Sequence, residues 1–132
     1  MAVIFDVKSP ILGFESVARF EFEQIDDNFV NIKDVETGTT SFTLINPFVL
    51  REYNFEIPIA IKVLMSMTNE TNLLVYNIVV IKTPLSESLI NFVAPVIFNV
   101  DNKTMAQIVL DEFEHPEFGP IEPLSTFIVP EE

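Results

Sequence analysis

At 132 residues, 48% hydrophobic and 11% aromatic, the chain suits one globular domain and is too short for two comfortable ones. Seven Lys and Arg stand against twenty Asp and Glu, a formal net charge of −13. That sign argues against nucleic-acid binding, which needs cations aimed at phosphates, and against an anionic membrane surface.

A basic protein partner suits an acidic surface better, although the same acids would also keep an apolar protein soluble. Thirteen phenylalanines and no tryptophan imply a core of apolar rings and β-branched side chains. Cysteine is absent, which removes disulfide frameworks and thiol metal sites and agrees with a reducing cytoplasm. Residues 1–5 run straight into Asp6 with no basic region ahead of an apolar stretch, so no export signal is expected. The longest uncharged stretch, residues 37–50, is interrupted by Gly38 and Pro47. It falls short of the roughly 20 mostly apolar residues of a membrane span. Asn69-Glu70-Thr71 and Asn102-Lys103-Thr104 match the glycosylation sequon, and with no export signal both read as loop chemistry.

Period-2 patterning dominates the chain. In residues 18–23, Ala18, Phe20 and Phe22 alternate with Arg19, Glu21 and Glu23, which puts all three charges on one face of a half-buried strand. Residues 29–35 form a second strand candidate, followed by the turn residues Glu36-Thr37-Gly38. Residues 40–45 form a third, ending at Asn46-Pro47. A strand roughly every ten residues suits a sandwich or barrel.

Residues 57–67 are ambiguous: Ile57, Ile59, Ile61 and Val63 alternate like a strand, yet Pro58 is placed to open a short helix. Residues 73–81 are almost wholly apolar and read as a central strand buried on both faces. Residues 92–100 and 104–110 flank Asp101-Asn102-Lys103, a three-residue hairpin connection. No self-similar period appears.

Beyond Leu110 the acids Asp111, Glu112, Glu114, Glu117, Glu122, Glu131 and Glu132 occur with no Lys or Arg after Lys103. Pro116, Pro120, Pro123 and Pro130 forbid a long helix or central strand, while Leu124, Phe127, Ile128 and Val129 make the far end apolar. The chain thus divides into a domain over residues 1–115 and an acidic, proline-rich extension over residues 116–132. Two arrangements of that extension are open: a tail docked on its own domain, or an arm offered to a partner.

Reactive chemistry is hard to place. The single histidine, His115, sits between Glu114 and Pro116 in a turn-like stretch. Asp26-Asp27-Asn28 lacks the oxygen-ligand spacing of a calcium loop. The three glycines are isolated, so no phosphate-cradling loop exists, and no G-x-S-x-G elbow occurs. Neither catalysis, a metal nor a cofactor is expected.

Several segments, read in order, resemble the FliW family of flagellar assembly factors. Pro10-Ile11-Leu12-Gly13-Phe14-Glu15, followed by Arg19-Phe20, is similar to its N-terminal Pro-x-Gly-Leu-x-Gly-Phe-Glu pattern, without the first glycine. Phe42-Thr43-Leu44-Ile45-Asn46-Pro47-Phe48 and Tyr53-Asn54-Phe55-Glu56-Ile57 are similar to its apolar strand, Asp-Pro and Tyr-x-Phe sequence, with Asn46 for the usual Asp. Asn91-Phe92-Val93-Ala94-Pro95-Val96-Ile97 resembles Asn-Leu-x-Ala-Pro-Ile, and Gln107-Ile108-Val109-Leu110 the closing strand. Individually, Gly13, Pro47, Asn91 and Pro95 are also ordinary turn and strand-end residues.

The resemblance implies a partner switch. FliW proteins bind newly made flagellin in the cytoplasm and, after its export, bind the RNA-binding translational repressor CsrA, which couples flagellin synthesis to secretion. The expectation is a single all-β domain, antiparallel and barrel-like, with at most one short helix. It is expected to be a cytoplasmic, non-enzymatic monomer that binds proteins and no nucleic acid directly. Phe14, Phe48, Tyr53 and Phe55 are candidates to line an apolar patch for flagellin helices, with Asn46, Asn91, Glu112 and Glu114 as further partner-binding candidates. The rivals are a β-barrel module binding a small ligand such as a sugar, and a hydrolase using paired carboxylates.

Overall fold

The computed structural model describes residues 3–111 and residues 122–123. In chain order the elements are β1 (Val3–Ser9), β2 (Arg19–Gln24), β3 (Phe29–Asp34), β4 (Ser41–Ile45), α1 (Ile59–Leu64), β5 (Leu73–Val80), β6 (Leu89–Ile90), β7 (Val96–Asn99), β8 (Thr104–Gln107) and β9 (Glu122–Pro123).

The first four strands form an antiparallel meander, and side-chain alternation sets its register. Phe5 lies opposite Phe20, and both are buried along with Val30, Ile32 and Leu44, while Asp6, Lys8, Arg19, Glu23 and Lys33 face solvent. The turns are built from short polar side chains. Asp26 accepts from the N–H groups of Asn28 and Phe29, both at 2.8 Å, and Gly38 supplies a φ of +68° after β3.

β4 pairs with β5 through Leu44 and Ile78, and β5 continues through β7 and β8 back to β1. Seven strands therefore close a barrel in the order β1-β2-β3-β4-β5-β7-β8. Closure hides the sheet edges that would otherwise template aggregation. One seam departs from the antiparallel pattern: β1 runs parallel to β8, with Asp6 opposite Thr104 and Val7 opposite Met105. β6 extends the β5 edge beyond β7, and β9 pairs with it, Ile90 opposite Glu122. At that point the C-terminal region is docked on its own domain. His115, Glu112, Glu114 and the rest of the extension lie outside the described residues.

Two buried clusters fill the interior. One holds Phe5, Phe20, Ile32, Leu44, Phe98 and Met105, with Phe5–Phe98 and Phe22–Phe98 meeting edge to face at 5.1 Å between ring centroids. The other holds Tyr53, Met65, Ile90, Phe92, Ile97 and Ile108.

Within residues 57–67, Ile59–Leu64 forms a helix and not a strand. Pro58 precedes α1, and Ile61 packs toward the second cluster, in which Met65 is fully buried. β5 packs on both faces along its middle, as expected, but not on both near its ends. Asn77 and Val79 are buried on the face that meets the second cluster and Tyr76 and Ile78 pack on the first, but Leu74 and Val80, near the two ends of the strand, are exposed. Both sequons serve as loop chemistry, as their composition implies. Asn102 donates its amide to the Met65 carbonyl, and Thr68 N–H donates to the Thr71 hydroxyl at 2.7 Å. Among the described residues no helix is long and apolar enough to cross a membrane.

Candidate functional site

Residues 46–58 connect β4 to α1, and their chemistry changes from surface to core within a few positions. Asn46 N–H donates to the Asn28 carbonyl at 2.8 Å, and its Oδ1 accepts from the Phe48 N–H at 3.0 Å. An aspartate in this place would accept in the same way. Buried Pro47 then opens a 3₁₀ turn over Pro47–Val49 with a preset φ. This turn leaves Phe48 and Val49 exposed by 55% and 52%.

Tyr53 turns inward and is only 2% exposed. Its hydroxyl donates to the Phe92 carbonyl and accepts from the Asn77 amide at 3.1 Å. The same Asn77 nitrogen donates to the Asn91 carbonyl at 2.8 Å, while Asn91 Oδ1 accepts from the Val93 N–H at 3.1 Å. Burial pushes the Tyr53 phenol up to about 12, against smaller opposing effects from the Asn77 bond and the Arg51 charge. The phenol stays protonated and works as a brace. Asn77 Oδ1 is buried with no hydrogen-bond partner among the described residues.

Rings assemble around this brace. Phe48 and Phe55 lie 6.3 and 5.4 Å from Tyr53, and Phe92 lies 5.7 Å from it. The Arg51 guanidinium stands 5.2 Å from the centre of the Phe92 ring, within cation–π range. Residues Phe48, Val49, Leu50, Arg51, Glu52, Tyr53 and Asn54 border an open cleft of about 600 Å³. The cleft offers exposed apolar groups beside one cation and one anion, held on a rigid frame. Among the described residues no group of His, Cys, Asp and Glu is arranged to hold a metal ion.

The fold brings Asn46, Phe48, Tyr53, Phe55 and Asn91 into this one region. Phe14 is not among them; it packs edge to face on Phe42 at 4.9 Å, beside the other cluster. Glu112 and Glu114 lie outside the described residues. Val49, Arg51 and Asn77 belong to the region without having been candidates from sequence. Asn77 carried a usable signal, as the one amide within an otherwise apolar run. On β2 and β3, Glu21, Glu23, Asn31, Lys33 and Asp34 line a separate polar hollow, where Glu21 lies opposite Lys33.

These features define a class: a small, acidic, closed β-barrel whose rim presents an apolar turn buttressed by a buried tyrosine–asparagine brace. The sequence profile of the FliW protein family matches residues 2–119, and the chain belongs to that family. It is 56% identical over 123 residues to flagellar assembly factor FliW 2 of Wolinella succinogenes, covering 93% of this chain and 90% of the relative. It is 45% identical over 124 residues to flagellar assembly factor FliW of Sulfurimonas denitrificans, covering 94% and 97%. A crystal structure of the flagellar assembly factor FliW shares the fold, with a TM-score of 0.82 at 23% identity over 92% of this chain and 84% of that one.

Proposed function

We propose that this protein is a cytoplasmic assembly factor that binds flagellin before export and, once released, captures the RNA-binding repressor CsrA. The observation that carries the reading is the pair Phe48–Val49, left exposed on a braced turn in a chain of this family. Helices of a filament subunit bury apolar faces only on assembly, and an exposed apolar turn with little freedom to lose is suited to hold one. The carbohydrate-module alternative draws less support, because the Tyr53 hydroxyl and Asn77 amide are directed at protein groups and not into the cleft.

Charge supports the second half of the cycle. A regulator that binds RNA presents Lys and Arg, and a body of −13 docked nearby attracts it and repels RNA. At an effective dielectric near 20, one charge pair ~8 Å apart interacts by about 2 kcal/mol before salt screening.

The test is calorimetric titration of purified flagellin and of CsrA into the full chain and its Phe48→Ala variant. Flagellin affinity is expected to fall at least about tenfold with folding unchanged. An unchanged affinity removes the turn from the site, and no binding of either protein removes the proposal. RNA displacement from CsrA that ignores salt and the Glu21→Gln, Glu23→Gln variant removes the electrostatic account.

A further inference from the structure

A second exposed apolar region lies at the seam where β1 meets β8. β1 follows β8 through Asp6 and Val7, shifts register before Ser9, and ends as Pro10 begins. Residues 108–110 keep their partners on the other side only: Ile108 N–H donates to the Pro95 carbonyl at 2.9 Å and Leu110 N–H to the Val93 carbonyl at 2.7 Å. Strand alternation points the intervening Val109 N–H the opposite way, where it has no hydrogen bond among the described residues. Leu12 N–H is engaged by a side chain and not by the strand backbone, donating to Gln107 Oε1 at 2.8 Å. The space β1 vacates is a cavity of about 380 Å³, bordered by Leu12, Pro58, Ala60, Ile61, Ile108 and Val109 and lacking any charged lining side chain.

α1 forms the facing wall with an unusual surface. Ile61 is directed at the core, yet Ile59 and Val63, one turn apart, are 78% and 72% exposed, and Leu64 is 51% exposed. At about 100° per residue, Ile59, Val63, Ala60 and Leu64 follow one another round from solvent toward the cavity, leaving Lys62 on the far flank. Leu12 and Val109, 63% and 57% exposed, border the gap together with Ala60 and Ile61. Contiguous exposed apolar surface of this kind marks interaction sites.

We propose that this seam is a docking site for an extended segment of a second protein, apolar at alternate positions and free of acidic side chains. A strand laid in the gap gives a carbonyl to Val109 N–H and sets alternate side chains between Leu12 and α1, which is recognition by β-strand addition. Charge selects the occupant. An uncharged cavity in a body of −13 repels an acidic segment, and repels a second copy of this chain, while a neutral or basic segment is drawn in. The site shares no lining residue with the cleft at residues 48–54 and is independent of what that cleft holds.

The probe is a short peptide of alternating valine and threonine with lysine at both ends, titrated into the isotope-labelled full chain and followed by NMR. Shifts at Leu12, Ile61 and Val109 are expected, with slower hydrogen exchange at the Val109 amide. Leu12→Glu with Ala60→Glu, both at exposed positions that border the cavity, is expected to weaken the peptide about tenfold while circular dichroism is unchanged. Peptide N-methylated at alternate backbone nitrogens is expected not to bind. No shifts at millimolar peptide, binding retained after N-methylation, or equal binding of an aspartate-ended peptide overturns the proposal. So does sedimentation that reveals a dimer dissolved by the same double variant, since the occupant is then a second copy.

Discussion

The side-chain amide of Asn102 and that of buried Asn99 converge on one oxygen, the Met65 carbonyl, at 2.6 and 3.0 Å. α1 has six residues and no side-chain N-cap, far below the length at which a helix holds itself. The β7–β8 turn therefore fixes it from outside. Asn99→Ala is expected to destabilise the fold by about 1–3 kcal/mol, because Asn99 also accepts from the Asp101 N–H inside the protein. Asn102→Ala is expected to cost about 1 kcal/mol. Hydrogen exchange should quicken first in residues 61–65, and uniform loss of protection across the barrel would refute the anchoring role.

Removing the Tyr53 hydroxyl tests the brace beneath the apolar turn. Tyr53→Phe leaves the ring contacts but deprives the Phe92 carbonyl of its donor, at about 1–3 kcal/mol. Asn77→Leu removes the link to Asn91 as well and also deletes the orphaned Oδ1. A double-mutant cycle by urea titration should give a coupling of about 0.5–3 kcal/mol, and additive effects would dissolve the network.

Stability should weaken on the acid side through two loop carboxylates. The Thr37 hydroxyl and the Glu36 N–H hold Asp34 below the ordinary 3.8, and the Asn72 side-chain amide and N–H do the same for Asp101. A folded-state pKa below the unfolded one gives stability that is complete above the unfolded value and is lost as pH falls through the folded one. The loss should therefore begin near pH 3.8 and continue below it. Asp34→Asn and Asp101→Asn should each flatten that acid limb in denaturation at stepped pH, whereas an unaltered slope would exclude the group.

Gly13 has a φ of +89°, and a Cβ there would meet no atom within 4 Å. Any penalty for Gly13→Ala is therefore conformational, about 1–2 kcal/mol. A thermal melt showing no destabilisation would mean that the turn relaxes to another conformation.

The meander was legible because its information is local. Phe20 and Phe22 alternate with Glu21 and Glu23, and turn residues punctuate each strand. β1 carries the same signal in Val3, Phe5 and Val7 against Asp6 and Lys8, yet its partner β8 lies about a hundred positions away, and no local pattern announces a parallel seam. α1 was ambiguous for a related reason: Ile57, Ile59, Ile61 and Val63 satisfy a strand period, and the helix is selected by the remote amides of Asn99 and Asn102. Sequence could nominate Phe48, Tyr53 and Phe55 as apolar candidates. It could not separate Phe14 from them, because barrel closure assigns that ring to the other cluster.

The parallel seam makes the protein's competence all-or-none during translation. Asp6 waits for Thr104, so the barrel cannot shut until the chain through β8 has left the ribosome tunnel. A nascent or truncated chain ending before β8 has Phe5 without Phe98 and Met105 packed against it, and α1 without the amides that fix it. Barrel closure and the fixing of α1 therefore fall together, as one late event in the making of each molecule.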